Sequence, residues 1–170
     1  MSKQILLTSL SFALALLMGS CTGEKKERPS PLVSDSTSIS GTHLKIEFGS
    51  PSVRERNIWG GLIPFNELWR TGANEATRFT TTERVRINGM KLDSGTYALL
   101  SIPGETTWEI ILNEDHEQWG TYDYDSTLDV LRLNVIPKVT SEYSEKMKFY
   151  FEQDSLKFHW VNLGFSLSLE

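Results

Sequence analysis

Short runs in which polar and apolar residues alternate, separated by turn residues, extend through most of this 170-residue chain. Residues 43–48 and 163–169 show the alternation most clearly, and Asn88-Gly89 marks a tight turn between two other runs. Because successive side chains of a strand point to opposite faces of a sheet, each run predicts a half-buried strand. We therefore predict an all-β fold: a β-sandwich, Greek-key or jelly-roll-like, of about eight or nine strands, with a long irregular loop after the first strand.

The motif D-S-G-T-Y, at residues 93–97, lies at the entry to one of these runs. Greek-key sandwiches often carry a tyrosine at such a corner, where its hydroxyl returns to a backbone group a few residues earlier in the chain. The motif predicts that Tyr97 is buried and that its hydroxyl binds the backbone.

Residues 1–20 have the composition of an export signal. Lys3 precedes an apolar run over residues 5–18, which is too short and wrongly flanked for a spanning helix. Cys21, the only cysteine in the sequence, follows small residues at the end of that run. The segment resembles a bacterial lipoprotein signal peptide, in which this cysteine is lipidated; an ordinary cleaved signal that ends near a cysteine is the alternative.

Lipidation of Cys21 would attach the protein to a membrane, on the periplasmic or the cell-surface face of the bacterial envelope. Residues 21–40 are rich in Lys, Glu, Ser, Thr and Pro and contain few apolar residues, so we predict a flexible tether there. Residues 41–170 are then one β domain, and with Cys21 modified this domain has no disulfide.

The net charge of −5 argues against nucleic acid as a partner. His43, His116 and His159 are far apart in the sequence, and the chain contains no phosphate-binding loop and no G-x-S-x-G nucleophile motif. Asp123 and its acidic neighbours lack the glycine and the final glutamate of an EF-hand. We therefore predict no metal site and no cofactor.

The central loop, residues 60–82, combines glycine, proline and polar residues in an order that fits neither a helix nor a strand. Its segment W-R-T-G-A-N-E contains four candidate ligand-binding residues: Trp69, Arg70, Asn74 and Glu75. Arginine binds carboxylates and phosphates as a fork, and tryptophan offers a face to a sugar ring. In the structural alternative, Arg70 pairs with Glu75 or another carboxylate while Trp69 closes the end of the sandwich.

A second segment, Q-W-G-T-Y-D-Y-D at residues 118–125, interleaves aromatic residues with carboxylates. Trp119, Tyr122 and Asp123 suit carbohydrate, because the rings can stack on sugar faces while the acid accepts hydroxyl protons. The alternative is that the two aromatic residues pack at a sheet edge and the acids form a solvated turn.

Several stretches of the sequence resemble the Domain of Unknown Function family 2911, which is found in exported bacterial proteins. They include P-S-V-R-E-R-N-I-W-G-G-L-I-P-F-N-E-L-W-R-T-G-A-N-E-A-T, I-N-G-M-K-L-D-S-G-T-Y-A-L-L-S-I-P-G, W-E-I-I-L-N and Q-W-G-T-Y-D-Y. The resemblance covers residues 43–169 and implies an exported β-rich domain. It supplies no reaction, ligand or catalytic residue.

Three functions remain open. The leading interpretation is a lipid-anchored binding or accessory domain with a pocket at the W-R-T-G-A-N-E loop, whose ligand is a small molecule, a glycan or an envelope protein. The second is a glycan hydrolase in which Glu67 or Glu75 works with Asp123 as a carboxylate pair. The third is a structural or assembly component of the envelope, in which the loop is architectural.

Overall fold

The computed structural model describes residues 28–170, so the predictions for residues 1–27, including lipidation of Cys21, lie outside it. No helix in the described part is long and apolar enough to cross a membrane. The described residues form one 3-10 turn, at Ser126–Leu128, and ten strands: β1 Leu32–Ile39, β2 Thr42–Gly49, β3 Thr77–Thr81, β4 Val85–Ile87, β5 Met90–Leu92, β6 Gly95–Pro103, β7 Trp108–Asn113, β8 Asp129–Val135, β9 Lys138–Glu152 and β10 Ser155–Ser168.

Six strands form one antiparallel sheet in the order β1-β2-β3-β6-β7-β8. The second layer contains two hairpins, β9-β10 and β4-β5, and the second includes the predicted turn at Asn88-Gly89. The hairpins are joined where Arg86 and Glu170 exchange backbone hydrogen bonds of 2.7 and 3.0 Å beside the Ile87–Leu169 bridge. The layered arrangement confirms the predicted all-β sandwich.

The main core lies between the layers and is rich in aromatic side chains. Trp108 of β7 meets Phe158 of β10 at a ring-centroid distance of 5.6 Å, and Phe158 stacks on Phe165 at 4.9 Å. A smaller apolar cluster occupies the other face of the large sheet, where Leu100 and Ile111 are covered by Leu68 and other loop residues. Both faces of the large sheet are therefore buried near its centre, and the loops that cover the second face include the candidate site.

The predicted tyrosine corner is present. Tyr97 is buried at the start of β6, and its hydroxyl donates a hydrogen bond of 3.1 Å to the backbone oxygen of Asp93. Burial is the main cause that raises the pKa of Tyr97. The D-S-G-T-Y motif therefore predicted both the burial of the phenol and its backbone partner.

The predicted tether at residues 21–40 is wrong for residues 32–39, because they form strand β1 and pair with all of β2. A tight turn at Ser40 and Gly41, with φ angles of 49° and 88°, joins the two strands. The side chains of β1 are mostly polar, and this edge strand is held by its backbone hydrogen bonds to β2. The Asp35 carboxylate also accepts a hydrogen bond of 2.8 Å from Phe151 N. The long loop consequently follows the second strand, not the first.

Residues 155–168 form one strand, so the alternating run that begins at residue 163 is the last part of a longer strand. The pairing of β10 with β9 shifts register on both sides of Val161, whose φ angle is 56°. With β1 added, the described residues form ten strands, where about eight or nine were predicted.

Candidate functional site

The connection between β2 and β3, residues 50–76, docks on the large sheet through its backbone. Trp69 and Ser101 of β6 exchange two hydrogen bonds of 2.7 and 2.8 Å, and Ala73 N donates to Gly49 O at 3.1 Å. The loop therefore extends the sheet alongside β6, and its backbone is fixed at both contacts.

The connection has an unusual backbone conformation. Five of its non-glycine residues have positive φ angles: Arg54, Glu55, Asn66, Thr71 and Asn74. Thr71 is the least expected of these, because it is β-branched, fully buried and has a φ angle of 49°. Its hydroxyl donates to Ser101 Oγ at 2.9 Å, and its carbonyl accepts from Thr77 Oγ1 at 2.8 Å. Residues that surrounding contacts hold in a strained backbone conformation cluster at active sites and ligand-binding loops.

Trp69 is only 7% exposed, and its ring faces the main core. The ring lies about 6 Å, between centroids, from those of Trp59 and Trp160, and its Nε1 donates to Gly72 O at 3.1 Å. This position corresponds to the structural alternative for Trp69, and we assign this residue no ligand contact.

Glu75 pairs with Arg28, whereas the sequence analysis considered a pair with Arg70. Arg28 Nη2 donates to both carboxylate oxygens of Glu75, at 2.9 and 2.8 Å, and this hydrogen bonding lowers the pKa of Glu75. Asn74 Nδ2 donates to Ser30 O at 3.3 Å. Asn74 and Glu75 therefore both bind residues that precede β1. A general acid needs a raised pKa, so the ion pair also argues against Glu75 in that role.

The structure brings together the two candidate segments that are separate in the sequence. Glu75 and Trp119 form an antiparallel β-bridge, and Ala76 N donates to Gln118 O at 3.2 Å. This bridge places residues 118–125 directly beside the W-R-T-G-A-N-E segment.

Arg70 and Tyr122 meet at Gly120, which has a φ angle of 74°. A Cβ atom on Gly120 would lie 3.0 Å from the Tyr122 ring and 3.8 Å from Arg70 Nη1. Trp119 is 56% exposed and Tyr122 is 85% exposed. We call Arg70, Trp119, Gly120 and Tyr122 the Trp119 surface; Asp123, also exposed, follows it in the chain.

Three buried polar atoms without a hydrogen-bond partner lie on these two segments or just before the second one: Arg70 Nε, Gln118 Oε1 and His116 Nδ1. The described residues contain only one other such atom, Trp59 Nε1. Within residues 28–170, Arg70 also makes no ion pair. Buried polar groups are normally paired, so three unpaired polar atoms close to the Glu75–Trp119 bridge make this an unusual polar site. His116 and Gln118 were not among the predicted site residues, since only burial distinguishes them.

The family model described as a protein of unknown function (DUF2911) matches residues 30–169. The chain belongs to the DUF2911 family. No curated protein and no solved structure matches it. The family match begins just before β1, which agrees with the place of this strand in the DUF2911 domain. The family description names no activity.

A polar network fixes residues 118–125 of the DUF2911 domain to strands β7 and β8. Tyr124 donates to Asp129 Oδ2 at 2.6 Å, and Arg132 bonds both Asp129 and Glu109, at 2.8 and 2.9 Å. Burial, followed by the bond to Asp129, raises the pKa of Tyr124 to about 12. The phenol therefore stays protonated and keeps its donor role at neutral pH.

Asp125 accepts hydrogen bonds of 2.8 Å from the backbone N and the hydroxyl of Thr127, which lower its pKa. It therefore caps the 3-10 turn at Ser126–Leu128. Within residues 28–170, no group of three or more His, Cys, Asp or Glu side chains is arranged to hold a metal ion.

Three cavities of the domain have volumes of about 680, 500 and 510 Å³. None of them is lined by any of the seven predicted ligand-binding residues: Trp69, Arg70, Asn74, Glu75, Trp119, Tyr122 and Asp123. The predicted pocket at the W-R-T-G-A-N-E loop is not among them, because this loop packs against β6 and residues 28–30. Any ligand of Trp119 and Tyr122 would therefore bind on the exposed surface, outside these three cavities.

Proposed function

We propose that this protein is a lipid-anchored binding domain of the bacterial cell envelope and that the Trp119 surface binds a neutral glycan. The observation that carries the proposal is that the exposed Tyr122 ring and Arg70 Nη1 both lie beside Gly120, directly after the exposed Trp119 in the chain. Exposed apolar surface that is rimmed by polar residues is a mark of interaction sites.

Each group of the surface has a distinct part in sugar binding. The rings of Trp119 and Tyr122 present apolar faces on which pyranose rings stack. Gly120 has no side chain, so the Tyr122 ring can pack directly against it and beside Arg70 Nη1, which donates to hydroxyl or ring oxygens. Asp123 accepts hydroxyl protons. This division of donors and acceptors suits a polyhydroxylated ligand.

The charge near the surface favours a neutral sugar over an acidic one. Residues 114–125 contain five acids, Glu114, Asp115, Glu117, Asp123 and Asp125, and no lysine or arginine. An acidic sugar would meet like charges there, at an energetic cost that a neutral sugar avoids. The Glu75 carboxylate, paired with Arg28, supports binding over acid-base chemistry.

The proposed anchor would hold the Trp119 surface close to the membrane. Only six residues separate Cys21 from Arg28, which span at most about 25 Å when fully extended. Arg28 contacts Glu75, and Glu75 forms the bridge to Trp119. We therefore expect the ligand to be a glycan that lies near the membrane carrying the anchor.

The lipid anchor is tested by replacing Cys21 with serine. Cells that produce the full chain and are fed an alkyne analogue of palmitate are expected to label the unchanged protein and not Cys21→Ser, because serine lacks the thiol that is acylated. Fluorescence of the purified protein on a gel measures the label. Ser20→Ala, one residue away, is the control that should remain labelled. Label on Cys21→Ser at the level of the unchanged chain contradicts the anchor.

Glycan binding is tested with the full chain in a detergent that has no sugar headgroup. The probes are cello-, chito-, xylo- and malto-hexaose, and Trp fluorescence measures the Kd. We expect saturable binding of at least one probe, weakened about tenfold in Trp119→Ala, because an aromatic contact contributes roughly 0.5 to 1.5 kcal/mol beyond its buried area. Arg70→Ala should also weaken binding while changing the free energy of unfolding by less than about 1 kcal/mol.

Tyr143→Ala is the matched control, because Tyr143 is 62% exposed but lies on β9, outside the Trp119 surface. It should leave the Kd unchanged. Absence of saturable binding to every probe overturns the glycan assignment. Arg70→Ala destabilising the domain by several kcal/mol without changing the Kd would instead favour the structural role of the loop.

A further inference from the structure

A cavity of about 680 Å³ lies between the end of β8 and the strands β9 and β10. Val135, Phe158 and Phe165 contribute to its apolar lining, and polar side chains from β9 and the β4-β5 turn contribute the rest. Its volume is within the range of small-molecule sites, roughly 300 to 1,000 Å³. It shares no residue with the Trp119 surface.

An irregular pairing of β9 with β10 forms one wall of this cavity. Val161 pairs with Ser144 and Leu163 pairs with Val139, so residues 140–143 of β9 stand opposite a single residue of β10. Val161 has a φ angle of 56°, which is unusual for a β-branched residue. Bulges that re-aim side chains are common next to binding sites.

His159 holds this bulge in place. Its Nε2 lies 2.9 Å from Thr140 Oγ1 and 3.0 Å from the backbone oxygen of Glu142. Thr140 Oγ1 also donates to Glu142 O at 2.9 Å, so the imidazole, the hydroxyl and the carbonyl form one polar cluster across the bulge. His159, Tyr150 and Glu142 also line the neighbouring cavity of about 500 Å³, so the bulge separates the two cavities.

The charged residues that line the two cavities are mainly lysines. Lys138 and Lys157 line the larger one, Lys146 and Lys148 line the smaller one, and Glu142 is the one acid among the lining residues of both. Lys157 is paired with Glu152, which raises its pKa. Lys138 makes no ion pair within residues 28–170. Lys146 and Lys148 also make no ion pair within residues 28–170, so three unpaired lysines face the single acid Glu142 across the two adjoining cavities. In a chain with a net charge of −5, this excess of cations over both cavities favours an anionic ligand.

We propose that the larger cavity is a second binding site, which takes an amphipathic carboxylate of the fatty-acid class. The alkyl chain lies against Val135, Phe158 and Phe165, and the carboxylate is bound at Lys138. Ile136 and Val139, which flank this lysine, are exposed apolar residues and give the alkyl chain an apolar entrance. An apolar lining with unpaired lysine charge at its edge complements both parts of such a ligand.

The test uses dodecanoate with a diazirine near the end of its chain, added to the full chain in a non-ionic detergent. After irradiation, mass spectrometry identifies the labelled peptides. We expect saturable labelling of the peptides that contain Val135 and Phe165. Unlabelled dodecanoate should compete, and dodecyltrimethylammonium, which has the same chain and the opposite charge, should compete at least about tenfold less well.

Two variants localise the site. Lys138→Glu is expected to raise the half-saturating concentration about tenfold, because it replaces attraction by repulsion at a partly exposed position. Lys91→Glu is the matched control; it makes the same charge change on β5, at a residue that lines neither cavity, and should have no effect. Ser166→Phe, which places a ring at an exposed lining residue, should abolish the labelling.

Labelling spread over the surface, or equal competition by the cationic detergent, overturns the proposal. So does an unchanged half-saturating concentration in Lys138→Glu. If Ser166→Phe fails to fold, as judged by circular dichroism, the comparison of Lys138→Glu with Lys91→Glu and the competition experiment still decide the outcome. Failure of the Trp119 surface to bind glycans bears on neither measurement, since the two sites share no residue.

Discussion

Trp69→Ala is expected to lower the free energy of unfolding by about 3 to 5 kcal/mol, the usual cost of truncating a large buried aromatic side chain. The ring is only 7% exposed and lies about 6 Å, between centroids, from those of Trp59 and Trp160. Its removal leaves a cavity in the aromatic core and leaves Gly72 O without its donor at 3.1 Å. Urea denaturation followed by circular dichroism measures the loss.

Trp119→Ala is the control, since it removes the same side chain from a position that is 56% exposed. It should change the free energy of unfolding by less than about 1 kcal/mol. Trp69→Phe keeps an aromatic ring but loses the bond to Gly72, so an intermediate loss is expected. Equal losses for the two alanine variants would show that Trp69 is not part of the core.

The contrast between Trp69 and Trp119 shows how far the sequence could predict the site. Both residues were candidates because a tryptophan lies beside polar groups in each segment. Residue type and local spacing carry no information about which ring is buried, because burial depends on strands distant in the chain. The structure buries Trp69 under β7 and β10 and leaves Trp119 exposed.

The contact partners of the site residues could not be predicted from the sequence, because they also depend on segments that are distant in the chain. Arg28 is 47 residues from Glu75 and lies in a segment whose composition suggested a flexible tether. The Glu75–Trp119 bridge joins two segments that have no shared sequence pattern. His159 has the local pattern of an ordinary strand residue, although a bulge in the neighbouring strand makes it part of a cavity wall.

The fold was more predictable, because alternation and turn residues are local properties. The hairpin at Asn88-Gly89 and the corner at Tyr97 were both predicted from a few adjacent residues. Strand β1 was missed since its polar side chains do not contribute an apolar face, and backbone pairing with β2 holds it instead. The Ser40-Gly41 dipeptide was the local signal of that hairpin.

Gly49→Ala is expected to destabilise the domain by about 3 kcal/mol or more, through overpacking where the loop docks on the sheet. A Cβ atom on Gly49 would lie 2.0 Å from Ala73 O and 2.9 Å from Ala73 C. Both are backbone atoms, so no change of rotamer can relieve the clash. The loop must move away from β2, which also breaks the bond of 3.1 Å from Ala73 N to Gly49 O.

Gly89→Ala separates this clash from the general cost of replacing a glycine. Gly89 has no atom within 4 Å of an added Cβ, and its φ angle of 80° gives only the penalty of a left-handed conformation, about 1 to 2 kcal/mol. Because Arg70 lies on the displaced segment, Gly49→Ala should also weaken glycan binding at the Trp119 surface, whereas Gly89→Ala should not. Denaturation and binding measured on the same preparations test both effects. If Gly49→Ala is no less stable than Gly89→Ala and binds equally well, the loop does not depend on close contact with β2.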